Sequence, residues 1–203
     1  MDEQLDGPPV VLGEETIYSG RILDLKRVQI RVPGGNVVQR EIVDHHGSVG
    51  VLPITSEGNF LLVKQFRAPA GRALLELPAG TLEVGEPPEE CAQRELAEEV
   101  GCRADSMRRV AGFYLAPGWA TEFMHAYIAT GLYPADGDGD EDEDIELVEM
   151  TPTEALKAIQ AGDIVDCKSI AIIGLYFAEL PSSSGAVSMA GTPARSRVEG
   201  DGL

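Results

Sequence analysis

The sequence predicts an α/β fold, an α/β/α sandwich around a mixed sheet that follows a small antiparallel β unit. Apolar residues alternate with period two near the N-terminus, and later apolar runs interchange with helical patterns. With 203 residues, 43% of them hydrophobic, the chain is long enough for one sizeable core. We expect the β unit at residues 1–45, the main domain at 46–180 and a disordered tail, small, polar and glycine-rich, at 181–203.

The first predicted elements are antiparallel strands between residues 14 and 45. The segment VQIRV, 28–32, alternates apolar and polar residues, and VVQREIV, 37–43, resumes the alternation. Between them Pro33, Gly34, Gly35 and Asn36 mark a turn.

Short apolar runs predict the strands of the main domain. SVGVLPI and NFLLVKQF are expected to form a hairpin around residues 56–59. LLELPAG, residues 74–80, reads as one strand that ends at a glycine. FMHAYIATGL and IELVEM, residues 123–132 and 145–150, are two further strands.

Helix signals follow these strands. Pro87 and Pro88 suit a first helical turn, Gly101 suits a left-handed C-cap, and an apolar i, i+4 stripe lies between them. Thr151, Pro152 and Glu154 form a capping-box pattern that opens a helix to about residue 161. A last, more apolar helix is expected at residues 168–180.

The first helix carries Glu95, Glu98 and Glu99 at positions i, i+3 and i+4. Like charges at this spacing repel by about 0.2 to 0.5 kcal/mol per pair on an exposed helix. A solvated acidic face fits poorly, because residues 83–101 hold seven acids and a single base, Arg94. A bound hard cation would reverse the repulsion.

The spacing around this helix resembles the signature of the Nudix hydrolases. Cys102 departs from it, since the family usually has an aliphatic residue there, but cysteine is also a small buried hydrophobe. The matching positions are Gly80, Glu86, Arg94, Glu95, Leu96, Glu98, Glu99 and Gly101.

The resemblance implies a metal-dependent hydrolase whose catalytic domain is 46–180. Hard cations such as Mg²⁺, or Mn²⁺ in its place, prefer carboxylate and carbonyl oxygens and assist attack of water on a diphosphate. Glu95 and Glu99 are the first metal ligands by this comparison, with Glu98 close behind and the carbonyl of Ala79 as a backbone ligand.

The resemblance further implies that Glu86 and Arg94 pair and hold the loop against the helix. The alternative is an ordinary surface salt bridge, worth about 0 to 1 kcal/mol.

Three residues outside the signature resemble the ADP-ribose pyrophosphatase branch. Arg67 ends the strand NFLLVKQF, where the branch carries an arginine that contacts substrate phosphate; a solvated strand-end cation is the alternative. Pro117 and Gly118 stand at the branch's distance from the signature and are expected at the substrate, although Pro-Gly pairs mark turns in many proteins.

The acidic run at 136–149 holds nine acids and no base. In the resembling branch a glutamate of a loop here acts as general base. Glu141 is our choice and Glu143 the second, with Glu122 a further candidate for the metal or base region.

Composition excludes several classes of partner. A pI near 4.4 and a net charge of −18 leave no basic stripe for nucleic acid or for anionic membranes. No apolar run approaches the roughly eighteen residues of a membrane span, and no signal peptide pattern is visible. Cys91, Cys102 and Cys167 are too few and scattered for a disulfide framework. A cytoplasmic protein is the expectation.

A homodimer is also expected, because the N-terminal unit exchanges between subunits in the resembling branch. Tyr18 and Arg21 are candidates for nucleoside contact, with plain strand and turn roles as the alternative. Trp119 is expected either to stack on a base or ribose of the substrate or to pack within its own loop. The histidines His45, His46 and His125 are not expected to bind metal, since hard cations prefer oxygen.

The leading hypothesis is hydrolysis of ADP-ribose, or a related nucleoside diphosphate sugar, to a nucleoside monophosphate and a sugar phosphate. UDP-glucose, GDP-mannose and dinucleotide polyphosphates stay open as substrates. A non-catalytic ADP-ribose sensor is the alternative from another class, but every acid of the signature is present and no basic helix-turn-helix segment follows residue 180.

Overall fold

The structure, a computed structural model, describes residues 7–137 and 145–180 and contains ten strands and three α-helices in those ranges. None of these helices is long and apolar enough to cross a membrane. The elements are β1 Val10–Ser19, β2 Leu23–Arg31, β3 Val37–His45, β4 Ser48–Pro53, β5 Phe60–Arg67, β6 Arg72–Glu76, β7 Ala79–Thr81, α1 Pro88–Val100, β8 Cys102–Tyr114, β9 Phe123–Pro134, β10 Glu146–Met150, α2 Pro152–Ala161 and α3 Cys167–Glu179.

The N-terminal strands form their own antiparallel sheet in the order β1-β2-β3. The predicted turn is confirmed: Gly34 and Gly35 take positive φ angles of 87° and 82°, which glycine adopts without strain. Strand β1 begins at Val10, four residues before the predicted start, and all of its residues are exposed.

A mixed sheet lies at the centre of the domain, in the order β7-β4-β9-β8. Strands β4 and β9 pair in parallel, while β4–β7 and β8–β9 are antiparallel. All six residues of β4 are buried. A parallel central strand that is covered on both faces needs a continuous apolar sequence, and SVGVLP supplies it.

Helices cover both faces of this sheet, so the predicted sandwich is confirmed. On one face, Cys91 and Leu96 of α1 pack with Val49 and Val51 of β4. On the other face, α2 and α3 complete a second apolar cluster that includes Leu52, Met124, Ala155, Ile172 and Ile173. The capping box of Thr151 and Glu154 at the start of α2 is also as predicted.

The predicted hairpin between β4 and β5 is wrong. The turn exists, with the Gly58 amide donating to the Thr55 carbonyl at 3.0 Å, but only Ile54 and Phe60 form a bridge. Strand β5 instead lies in a second sheet, in the order β10-β5-β6. Because β4 is apolar on both faces, it pairs with β7 and β9 at the centre of the mixed sheet.

The segment LLELPAG is two short strands rather than one. Strand β6 ends at Glu76 and β7 begins at Ala79 in the other sheet. Pro78 lies between them, and a proline cannot donate a backbone hydrogen bond to a continuing ladder. Its carbonyl accepts from the Val51 amide at 2.9 Å, so the chain changes sheets here.

Strand β8 is the longest in the mixed sheet and was not predicted from the sequence. It pairs with β9 along its length, with one irregularity between Arg109 and Ala111. Seven of its thirteen residues are exposed, including Arg103 and Arg109, so apolar periodicity is weak.

Candidate active site

The acidic helix α1 and strand β7 line one side of a cavity of about 840 Å³. The fully buried Leu96 packs into the core and fixes the rotation of α1. Ala79, Gly80, Glu95, Glu98 and Glu99 line this cavity together. The i, i+3, i+4 spacing therefore presents three carboxylates to one space.

Arg94 links the acids of this region. Its guanidinium donates to Glu86 from Nε at 2.9 Å and from Nη2 at 3.0 Å, and Nη1 donates to Glu95 at 2.7 Å and to Glu98 at 3.0 Å. A further bond reaches the Thr81 carbonyl at 3.3 Å. One cation thus ties the loop before α1 to two acids of the helix, which is more than a single surface pair.

Glu86 is strongly held in its ionised form. The hydrogen bonds from Arg94 lower the pKa of Glu86 to about 2, against the opposing effect of burial, and the Glu83 amide adds a further bond of 3.0 Å. The same contacts raise the pKa of Arg94, with the bonds to Glu86 as the largest cause. Both members of the pair are therefore charged at neutral pH.

Gly80 makes room for the carboxylate of Glu95. A Cβ at position 80 would lie 1.8 Å from Cδ and Oε1 of Glu95. The φ angle of Gly80 is not among the positive ones, so the close approach, and not the backbone conformation, requires glycine here. Glu95 itself is only 9% exposed.

The oxygen atoms around the Glu95 carboxylate suit a hard divalent cation. Three carboxylates and the Ala79 carbonyl offer oxygen atoms, which hard cations prefer, and the Ala79 amide donates to the Glu99 carboxylate at 3.0 Å. Within the described parts of the chain no three acidic, histidine or cysteine side chains converge as a metal cluster. The carboxylates are directed instead to Arg94 and to the backbone of β7.

Arg67 stands at the end of β5 and lines both this cavity and a second one of about 400 Å³. Its Nε and Nη2 donate to Glu76 at 3.2 and 2.9 Å. The side chain is therefore held by a carboxylate and is not the solvated cation of the alternative interpretation.

Glu76 and Lys168 line the second cavity and were not predicted from the sequence. Glu76 is 2% exposed, Lys168 is 8% exposed, and the two form an ion pair. A charged residue inside the apolar run LLELPAG was a usable signal for Glu76, but no local pattern points to its partner 92 residues away.

Pro117 and Gly118 line neither cavity, so the structure does not bring them to Arg67 and the acids within one chain. Their loop is tied to β3 instead: the Val43 amide donates to the Trp119 carbonyl at 2.8 Å, and the Thr121 amide donates to the Val43 carbonyl at 2.9 Å. Trp119 is 59% exposed.

The remaining candidates divide between the cavities. Arg21 and His46 line the larger one, whereas Glu122 lines the smaller one and accepts from Ser48 at 2.9 Å. His45 Nδ1 accepts from the Gly47 amide. Burial, with the charge of Arg109, lowers the pKa of His125, which favours its neutral form.

Glu141 and Glu143 lie outside the described residues, as does the predicted tail at 181–203. Ile145, the first described residue after Glu143, lines the larger cavity.

Comparison with known proteins adds a family model and named relatives. The model described as NUDIX domain matches residues 44–166. ADP-ribose pyrophosphatase of Bacillus subtilis (strain 168) is 41% identical over 78% of this chain and 86% of its own. The ADP-ribose pyrophosphatase of Mycobacterium tuberculosis (strain ATCC 25618 / H37Rv) is 40% identical over 81% and 80%.

A differently named relative and a solved structure complete the comparison. The methanol dehydrogenase activator of Bacillus methanolicus is 40% identical over 77% of this chain and 85% of its own. A solved structure titled as an ADP compounds hydrolase superposes with a TM-score of 0.76 at 22% identity, covering 85% of this chain and 94% of that one. At this identity the likeness concerns the fold.

Proposed function

The chain belongs to the NUDIX domain family of hydrolases, and from this premise we propose that it cleaves the diphosphate of ADP-ribose or of a related nucleoside diphosphate sugar. The products are a nucleoside monophosphate and a sugar phosphate. One observation carries the proposal: Arg67 and the acids of α1 line the same cavity, so a cation suited to a phosphate lies beside carboxylates suited to a metal ion.

Mg²⁺, replaceable by Mn²⁺, is the proposed cofactor. Glu95, Glu98, Glu99 and the carbonyl of Ala79 would hold it, and the space that Gly80 leaves for the Glu95 carboxylate supports this set. The cation would neutralise the diphosphate, polarise its oxygens and make water a better nucleophile.

The protein's own groups have separate tasks in this proposal. Arg94, fixed by Glu86, orients the carboxylates of Glu95 and Glu98. Arg67 holds a phosphate of the substrate, for which its planar guanidinium is suited. These contacts place the diphosphate for in-line attack, in which water oxygen bonds to one phosphorus as the bridging P–O bond breaks.

Glu141 is the proposed general base, with Glu143 as the second choice. The base takes a proton from the attacking water, and the departing phosphate keeps the electrons of the broken bond. Ile145, two residues after Glu143, lines the cavity, which supports a base from this run.

The N-terminal sheet supports a homodimer in which residues 1–45 exchange between subunits. Strand β1 exposes several apolar side chains in an otherwise acidic protein, and exposed apolar patches mark interaction surfaces. These are Val10, Val11, Leu12, Ile17 and Tyr18. In such a dimer the sheet of one chain helps to line the adenosine site of its partner, and Arg21, in the turn between β1 and β2, is the residue of this sheet proposed for nucleoside contact.

The deciding experiment is a product assay with the purified protein, Mg²⁺ or Mn²⁺, and a panel of ADP-ribose, UDP-glucose, GDP-mannose and dinucleotide polyphosphates. Release of AMP from ADP-ribose as the fastest reaction is expected. If the protein binds ADP-ribose tightly and releases no AMP, a sensor replaces the enzyme. Separate Glu141→Gln and Glu143→Gln variants identify the base, because only loss of the base should remove most of the rate.

A further inference from the structure

A buried ionic cluster joins the phosphate-facing Arg67 to the start of α3. We call Arg67, Glu76, Asp166 and Lys168 the Glu76 cluster. Glu76 accepts from Arg67 and from Lys168, and Lys168 also donates to Asp166 at 3.0 Å. Two cations and two carboxylates thus lie together between the end of β6 and the first turn of α3.

Stability alone does not account for this cluster. Moving charges out of water is costly, and well-packed apolar residues of similar size often stabilise a fold at least as well as a buried ion pair. The members of the cluster also differ in how much of each side chain is exposed. Glu76 is 2% exposed, whereas the side chain of Arg67 is 36% exposed and reaches both cavities. The buried carboxylate therefore supports a cation that meets the cavity.

The contact between Glu76 and Arg67 fixes an orientation as well as a charge. Arg67 Nε lies 3.2 Å from Oε1, and Nη2 lies 2.9 Å from Oε2. Two parallel bonds to one carboxylate set the plane of a guanidinium, which a single bond does not. Burial alone would raise the pKa of Glu76, but the bonds and charges of Arg67 and Lys168 outweigh burial and keep the carboxyl ionised.

Glu76 is itself held by the core. Lys168 fixes one of its oxygens, and Asp166, which orients Lys168, caps α3 by accepting from the Ser169 amide at 3.0 Å. The next residue along the chain is anchored to the same helix, because the Leu77 amide donates to Ser169 Oγ at 2.7 Å. The carboxylate cannot turn without disturbing α3.

We propose that Glu76 is a positioning residue, which holds the guanidinium of Arg67 in the orientation that binds the substrate diphosphate. This inference rests on the proposed function, because Arg67 is taken there as the phosphate contact. Glu76 acts through Arg67 and does not itself meet the substrate.

A double-mutant cycle with Glu76→Gln and Arg67→Ala tests the proposal. The measurements are the Kd for ADP-ribose by titration calorimetry in EDTA, and kcat and KM with Mg²⁺. We expect Glu76→Gln to raise Kd and KM by about tenfold and to change kcat less. In the Arg67→Ala background the same change should add less than about twofold, since its effect passes through Arg67.

The matched control is Glu179→Gln, which breaks the remote and exposed bidentate pair of Arg108 and Glu179. It should leave Kd and KM unchanged. A folded Glu76→Gln protein with wild-type Kd overturns the proposal, and so do losses that multiply in full in the double variant. If Glu76→Gln does not fold, Lys168→Met is added to remove the unpaired cation, and the cycle is judged by the same criteria.

Failure of the proposed function would look different. A wild-type protein that binds ADP-ribose in EDTA and releases no AMP with Mg²⁺ refutes the enzyme. The cycle on Kd then still decides whether Glu76 positions Arg67.

Discussion

Alanine at position 80 is the sharpest perturbation that the geometry offers. The new Cβ would lie 1.8 Å from Cδ and Oε1 of Glu95 and 2.4 Å from Oε2, whereas ordinary contact begins at 3.4 Å. From 1.8 to 3.4 Å the Glu95 carboxylate must retreat by about 1.6 Å. A misplacement of about 1 Å in a catalytic constellation can cost roughly 100-fold in rate, so Gly80→Ala should lower kcat by about 100-fold or more.

The same substitution should cost little stability. The clash is with the end of a flexible side chain, and the main loss is the Arg94–Glu95 hydrogen bond of 2.7 Å. A typical hydrogen bond to a charged group contributes about 1.5 to 3 kcal/mol, and Arg94 keeps its bonds to Glu86 and Glu98. We therefore expect a drop of about 1 to 2 kcal/mol in the free energy of unfolding, which leaves a folded protein.

The assay compares ADP-ribose hydrolysis over a series of Mg²⁺ concentrations with the free energy of unfolding from urea titration. Gly174→Ala is the matched control, because a Cβ there meets nothing within 4 Å and α3 gains a better helix former. It should keep full activity and gain slightly in stability. If the kcat of Gly80→Ala lies within threefold of the wild-type value, with the same Mg²⁺ dependence, the position of the Glu95 carboxylate beside Gly80 does not matter for catalysis.

Three further results are expected. Glu99→Gln should lose at least about 100-fold in kcat with an unchanged circular dichroism spectrum, since glutamine can still accept from the Ala79 amide; undiminished turnover would refute its metal role. Arg94 holds the pKa of Glu86 at about 2, below its ordinary 4.5, so the pair stabilises the fold above about pH 4.5 and this contribution is lost as pH falls toward 2. Glu86→Gln should thus lower the free energy of unfolding by about 1 to 3 kcal/mol at pH 7 and by almost nothing near pH 2, and a constant difference across this range would contradict the linkage. In analytical ultracentrifugation the wild-type protein should sediment with twice the chain mass of 21.7 kDa, and the Val11→Glu variant should shift toward the mass of a single chain. A monomeric wild type at micromolar concentration would exclude the exchanged dimer.

The residues of the signature could be predicted from sequence because their relations are local. The spacing of Glu95, Glu98 and Glu99 needs only the helical repeat, and Gly101 ends α1 with the left-handed φ of 71° that its type favours. The contact of Glu86 with Arg94 joins residues only eight positions apart. Each relation lies within one segment of the chain, and the resemblance to the Nudix signature added the pairing of Glu86 with Arg94.

The errors concern relations between distant segments. The parallel pairing of β4 with β9 depends on burial of both faces of β4, which competes with the turn signal at 56–59. Proximity of Glu76 and Lys168 arises only when α3 packs beside β6. The role of Pro117 and Gly118 at the substrate stays a prediction, because hydrogen bonds to β3 hold their loop and neither residue lines the two cavities of the single chain.

The junction between β6 and β7 combines anchors from three different elements. The Leu77 amide is bound by Ser169 of α3, the Pro78 carbonyl by β4, and the Ala79 amide by Glu99 of α1. Any partial opening that freed this junction would have to break its hydrogen bonds to α1 and to α3 at once. We therefore expect the junction to belong to the cooperative unit that unfolds last. We therefore expect the backbone that presents Ala79 and Gly80 to the cavity to open only together with the core.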